Sequence, residues 1–169
     1  MRHSMIAMMV LLFAYNTRAQ QLIAPESIDF HYPSQTWYIS NTINILAMST
    51  SGEKTIFADG LQMSYGIEVV GDKLFVIDNS VKVFDLKSGE IEQTITLPDI
   101  SYLNGIHYDD SQYVWITDYG KGDIWKIDVN SYQAIRVTYV APKLNGIFFD
   151  KTKQKVYVVA YTENASIYE

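Results

Sequence analysis

A four-fold internal echo constrains this chain more than any other feature. Pro25-Glu26-Ser27-Ile28, Tyr65-Gly66-Ile67, Leu103-Asn104-Gly105-Ile106 and Leu144-Asn145-Gly146-Ile147 each open a run that alternates into a strand. Ser27, Gly66, Gly105 and Gly146 are equivalent positions, at spacings of 39, 39 and 41 residues. A period near 40 implies one supersecondary unit repeated, each burying its apolar face on the next. The residue before the small one is what varies, reading Glu26, Tyr65, Asn104, Asn145. Variation at one point of a monotonous scaffold marks a candidate for function.

Each repeat resolves into short strands separated by turn residues. In the second, Gly66 to Val70 leads through Gly71-Asp72 to Leu74–Ile77, then Val81–Leu86, a Ser88-Gly89 turn and Ile91 to Leu97. The third repeats this with Ile106–Tyr108, Tyr113–Thr117, Asp123–Asp128 and Ala134–Thr138. Period-2 alternation bounded by Gly, Asp and Ser is the signature of half-buried strands. Four-stranded sheets repeated radially make a β-propeller, so the expected class is all-β. The expected blades are 24–58, 63–97, 102–138 and 142–169, the last reaching only its third strand. A closed ring of five to seven such blades needs about 200 to 280 residues. About three and a half blades are therefore expected here, an incomplete ring, with open blade edges available for self-association.

Composition supports a packed core, with 48% hydrophobic and 14% aromatic residues. The formal charge of −6, with no cluster of Lys or Arg, excludes a phosphate-reading nucleic-acid binder. Residues 1–19 read as a secretory signal: Arg2 and His3, an apolar stretch from Met5 to Ala14, then Thr17-Arg18-Ala19 as the cleavage site. Ten apolar residues are too few for a spanning helix, which needs about 20. The expectation is export, to the periplasm or outside the cell, with no membrane span after cleavage. Zero cysteines then means a fold held without disulfides.

In a propeller the start of each first strand and the end of each second strand share one rim. Glu26, Tyr65, Asn104 and Asn145 therefore converge near the axis, with Asn41, Asp78, Asp118 and Tyr119 on the same side as a substrate-facing rim. A carboxylate and two amide carbonyls form an all-oxygen set of the kind that holds Ca²⁺. The plainer reading stands beside it: Asn before Gly suits a turn, and Asp78 and Asp118 suit bonds to neighbouring backbone. His107, without a partner motif, reads as a structural histidine. No Gly-x-Ser-x-Gly, cysteine, phosphate loop or His-Glu-x-x-His is present. No covalent catalytic residue can thus be nominated.

The Pro-Glu opening of the first blade, Leu103-Asn104-Gly105 and Leu144-Asn145-Gly146 resemble the senescence-marker-protein/gluconolactonase family of six-bladed calcium propellers, close to the NHL-repeat proteins. That family takes a Glu from blade one and an Asn each from blades three and four, and nothing from blade two, which here carries Tyr65. The resemblance implies Glu26, Asn104 and Asn145 as Ca²⁺ ligands and a metal-dependent hydrolase of lactones or sugar-acid derivatives. Two departures stand out. Ser27 replaces the glycine usual after the first-blade Glu, and the family's last ligand, an Asp from a later blade, has no counterpart up to Glu169. The alternative expectation is a non-catalytic propeller serving as a rigid binding platform.

Overall fold

A computed structural model describes residues 22–169, so the secretory-signal reading of residues 1–19 lies outside it. The described residues form fifteen strands and no helix. The first sheet holds β1 (Pro25–His31), β2 (Thr36–Asn41), β3 (Asn44–Ser49) and β4 (Lys54–Ala58). The second holds β5 (Ile67–Val70), β6 (Lys73–Asp78), β7 (Ser80–Asp85) and β8 (Ile91–Ile95). The third holds β9 (Leu103–Tyr108), β10 (Tyr113–Asp118), β11 (Asp123–Asp128) and β12 (Ala134–Tyr139). The fourth has three strands, β13 (Leu144–Asp150), β14 (Lys155–Ala160) and β15 (Ile167–Tyr168). Every pairing is antiparallel between sequence neighbours, and the expected all-β propeller blades are present in the expected count.

Burial explains the alternation. The second strand of each middle blade is covered on both faces, because a neighbouring blade lies on either side. Leu74 and Val76 of β6 pack backward with Tyr38, Ile45 and Ala58 of the first blade. Phe75 and Ile77, the residues between them, pack forward with Ile106, Val114, Ile116 and Trp125 of the third. One strand thus serves two interfaces by the period-2 geometry of a pleat. Phe75 is fully buried, and truncating such a side chain costs about 3–5 kcal/mol. Outer strands carry little of this load: β8 is exposed along Ile91–Thr94 and β12 along Ile135–Tyr139.

The turns between third and fourth strands repeat one device. Asp85 Oδ1 accepts the N–H groups of Lys87 and Ser88, and Asp128 Oδ1 those of Asn130 and Ser131. Gly89 and Tyr132 then take positive φ, 75° and 59°, to return the chain. Short polar side chains that bond the backbone two and three residues on are the common chemistry of such turns.

The inner strands approach unusually closely. The Gly66 N–H donates to the Asn104 carbonyl at 3.0 Å, bonding the second blade to the third. Thr117 Oγ1 accepts the Gly105 N–H at 2.8 Å and donates to the Asn145 carbonyl at 2.7 Å, bonding the third blade to the fourth. A Cβ at Gly66 would stand 2.6 Å from the Asn104 oxygen, and one at Gly105 would overlap the Asn145 oxygen. At Gly66 and Gly105 the small residue of the repeat is required by this contact.

Candidate functional site

Three of the four first strands bulge at the same place. Glu26 and Ser27 together oppose Ser40, since the register passes from Pro25–Asn41 to Ile28–Ile39. Asn104 and Gly105 oppose Thr117 in the same way, and Asn145 and Gly146 oppose Val159. In the second blade Tyr65 and Gly66 precede β5 and face Ile77, whose carbonyl accepts the Tyr65 N–H at 3.0 Å. A bulge leaves its extra residue out of the ladder and re-aims its side chain. Here it presents Glu26, Asn104 and Asn145 to a common space.

That space is a pair of cavities on one end of the blades. A small one of about 170 Å³ is lined by all four variable residues and the small residues that follow them. A larger one of about 620 Å³ shares Glu26, Tyr65, Asn104 and Asn145 with it and is lined also by Ser101, Tyr102, Tyr119, Gly120 and Tyr161. Among the described residues, the Glu26 carboxylate and the Asn104 and Asn145 amides have no hydrogen-bond or ion-pair partner. Polar groups that converge without internal partners are free to meet a ligand.

Aromatic rings form the walls. The Tyr65 and Tyr102 centroids lie 4.7 Å apart at 60°, and those of Tyr102 and Tyr119 5.6 Å apart at 67°. Tyr65 hydrogen-bonds through its hydroxyl to the Met63 sulfur. Burial first, then the hydrogen bond to Tyr65 and its charge, then the Glu26 charge, push the Tyr102 hydroxyl well above the ordinary tyrosine range. It stays a neutral phenol at any working pH.

The second-strand ends differ from the expectation of a substrate-facing rim. Asn41, Asp78 and Asp118 are all buried, at 1%, 1% and 0% exposure. Asp118 accepts four backbone N–H groups, from Ser101 and Tyr102 before the blade and from Gly120 and Lys121 in the turn between β10 and β11. Asp78 accepts those of Gln62 and Met63, both at 2.9 Å, and pairs with Lys82. Burial opposes its ionisation, but Lys82 and the two N–H donors outweigh this and hold its carboxyl below the usual range. Asn41 Oδ1 accepts the Ile23 N–H at 2.6 Å, and its amide donates to Asn44. The physical reason is shared: the segment leading into each of the first three blades passes beside the end of β2, β6 or β10 with unpaired donors, and a short acceptor there satisfies them. These side chains hold the linker and do not face the cavity.

Tyr119 lines the cavity together with Ser101, Tyr102 and Tyr161, three residues that the sequence does not single out. Tyr161 was accessible to the same logic, since Asp118-Tyr119 and Ala160-Tyr161 occupy one column of the repeat. Among the described residues, no group of three His, Cys, Asp or Glu side chains is arranged to hold a metal ion.

No family model and no curated relative matches this chain, so the gluconolactonase-like resemblance rests on its motif residues alone. Solved structures do match. The chain is similar to one in a crystal structure of a nidogen/laminin complex, with TM-score 0.75 and 17% identity over 87% of this chain and 61% of that one. It is also similar to an auxiliary nutrient binding protein from Bacteroides thetaiotaomicron, with TM-score 0.67 and 10% identity over 86% of this chain and 42% of that one. At such identities the likeness shows the propeller fold. The chain spans about three fifths and two fifths of the lengths of these two.

Proposed function

We propose that this chain is a non-catalytic propeller module that binds a ligand in the cavity at its bulged end. The observation that carries the reading is the convergence of Glu26, Asn104 and Asn145, unpartnered among the described residues, on one tyrosine-walled space. A volume of about 620 Å³ lies within the usual range of ligand pockets, roughly 300–1,000 Å³. The two structural neighbours lend support, one being solved in a protein complex and the other described as a nutrient binding protein.

A second reading is the calcium-dependent lactone hydrolase, supported by the presence of Glu26, Asn104 and Asn145 on a single cavity. Bound there, Ca²⁺ would act as a Lewis acid on a lactone carbonyl. This chain's own residues would supply one carboxylate and two amide oxygens, whereas Ca²⁺ takes six to eight oxygen ligands. Among the described residues, none of the nine that line the larger cavity besides Glu26 could serve as a carboxylate or imidazole base.

The two readings part in one experiment. Purified protein is assayed against simple sugar lactones with calcium and with chelator, beside calorimetric titration of amines, saccharides and short peptides. The binding module gives a saturable ligand and no turnover above the buffer rate. Calcium-dependent turnover abolished by Glu26→Gln would overturn it in favour of the hydrolase.

A further inference from the structure

We propose that the cavity lined by Tyr65, Tyr102, Tyr119 and Tyr161 recognises an organic cation, an alkylammonium group seated against Glu26. The proposal rests on the binding-module reading and names the ligand's chemistry. Charge is the first ground. Among the described residues nine line the cavity, of which Glu26 is the single charged one and none is Lys, Arg or His. The nearest lysine in sequence to the Tyr119-Gly120 wall, Lys121, is paired with Asp99 outside this lining. An anion would meet an uncompensated carboxylate, and a neutral ligand would leave that carboxylate without a counter-charge. Glu26 is exposed and unpartnered among the described residues, so a cation can pair with it without breaking an internal ion pair.

Ring geometry is the second, independent ground. The π face of tyrosine carries negative potential, and a cation within about 6 Å of a ring centroid is attracted to it. Tyr65 with Tyr102 and Tyr102 with Tyr119 pack edge to face at 60° and 67°, so the cavity is lined by contiguous rings, and the exposed Tyr102 and Tyr161 offer aromatic surface against which an ammonium head can rest. The side-chain amides of Asn104 and Asn145 stand on the same cavity, their oxygens able to accept N–H bonds from a primary ammonium. A bare divalent ion fits less well: a single carboxylate matches one positive charge, and one carboxylate with two amide oxygens falls short of the six to eight oxygens that Ca²⁺ takes. The overall charge of −6 adds long-range attraction for a cation.

The ammonium head could belong to a small molecule or to a lysine of a partner chain, and the test separates these. The full chain is titrated at low salt by calorimetry with choline, with its neutral isostere 3,3-dimethylbutan-1-ol, with glucose, with calcium chloride, and with a lysine-containing peptide before and after lysine acetylation. Choline or the unmodified peptide is expected to bind saturably, with the isostere or acetylated form at least about ten-fold weaker. Tighter binding of the peptide assigns a protein source, and tighter binding of choline a small-molecule one. Glu26→Gln and Tyr102→Leu should each weaken binding about ten-fold, whereas Tyr32→Ser, removing an exposed tyrosine outside the cavity lining, should not. Glu26 is exposed, so its variant folds even where Tyr102→Leu does not. Equal binding of choline and the isostere, binding of glucose alone, or indifference to Glu26→Gln overturns the cation proposal and leaves the binding module standing. Calcium binding that depends on Glu26, with no organic ligand bound, overturns both.

Discussion

The Glu68 side chain accepts the backbone N–H of Tyr108 at 2.9 Å, joining the inner strand of one blade to that of the next. Asp29 does the same one blade earlier, accepting the Val69 N–H at 2.6 Å. The two carboxylates occupy one column of the repeat, continued by His107 and Phe148, whose rings lie 5.0 Å apart. The third blade thus replaces an acceptor with an aromatic contact, and His107 also lies 3.7 Å from Glu68. Acidic staples and an aromatic pair perform the same task, fixing the spacing of neighbouring inner strands.

Glu68 makes stability fall as pH rises. Burial raises its pKa to about 8 against an ordinary 4.5, overcoming the Tyr108 hydrogen bond and reinforced by Asp29 and Asp110. The folded state therefore holds a proton that the unfolded state has lost, and this contribution is complete below about pH 4.5 and lost as pH rises through 8. Gln at position 68 keeps the acceptor and removes the titration. Urea unfolding at pH 6, 7.5 and 9 should show Glu68→Gln gaining on the parent, by about 1–3 kcal/mol at pH 9. Parallel curves for the two proteins would contradict the buried-carboxyl assignment.

Adding one methyl group should separate the repeat's glycines. Gly105→Ala places Cβ on the Asn145 carbonyl, and Gly66→Ala places it 2.6 Å from the Asn104 carbonyl, so backbone must move. Each is expected to cost about 2–3 kcal/mol. Gly146→Ala meets a Val159 methyl at 3.3 Å and should cost under about 1 kcal/mol, because a side chain can yield. Urea midpoints of the three variants give the ranking directly, and equal midpoints would refute the close-approach account.

The hydroxyl of Thr117 bridges two blades, so Thr117→Val tests the same seam without changing volume. Removing it strands the Gly105 N–H and the Asn145 carbonyl, at a cost of about 1–3 kcal/mol. Thr117→Ser, which keeps the bridge, should recover most of that loss in the same unfolding assay.

Much of this architecture was legible because it repeats. Period-2 alternation at a spacing near 40 residues specified blades, and the convergence of Glu26, Tyr65, Asn104 and Asn145 on one cavity followed from repeat geometry. The roles of Asn41, Asp78 and Asp118 were not legible as a rim. Whether a carboxylate at a strand end meets solvent or backbone depends on where the next linker's unpaired N–H groups fall, a tertiary fact. The bulges were hidden for a similar reason: Glu26-Ser27 opposite Ser40 is a matter of register between strands, which no single strand reveals. Tyr102 was missed because its column holds Ala24, Met63 and Lys143 in the other blades, so repetition does not flag it.

Asp118 connects this packing to the cavity. Its Oδ1 accepts N–H bonds from Tyr102, Gly120 and Lys121, and its Oδ2 one from Ser101, so a single carboxylate fixes three wall residues, Ser101, Tyr102 and Gly120. Asp118→Ala leaves four donors without their acceptor in a fully buried place, and is expected to cost about 3 kcal/mol or more. Asp118→Asn retains one carbonyl oxygen but turns an amide toward a donor, so an intermediate loss follows. Urea unfolding should order the three proteins as parent, Asn, then Ala. At a temperature where the Asn variant is folded by circular dichroism, its choline affinity should still fall several-fold, because the Tyr102 ring no longer has a fixed backbone. Unchanged affinity in a destabilised but folded Asp118→Asn would show that the wall is held by the aromatic contacts of Tyr65 and Tyr119 instead.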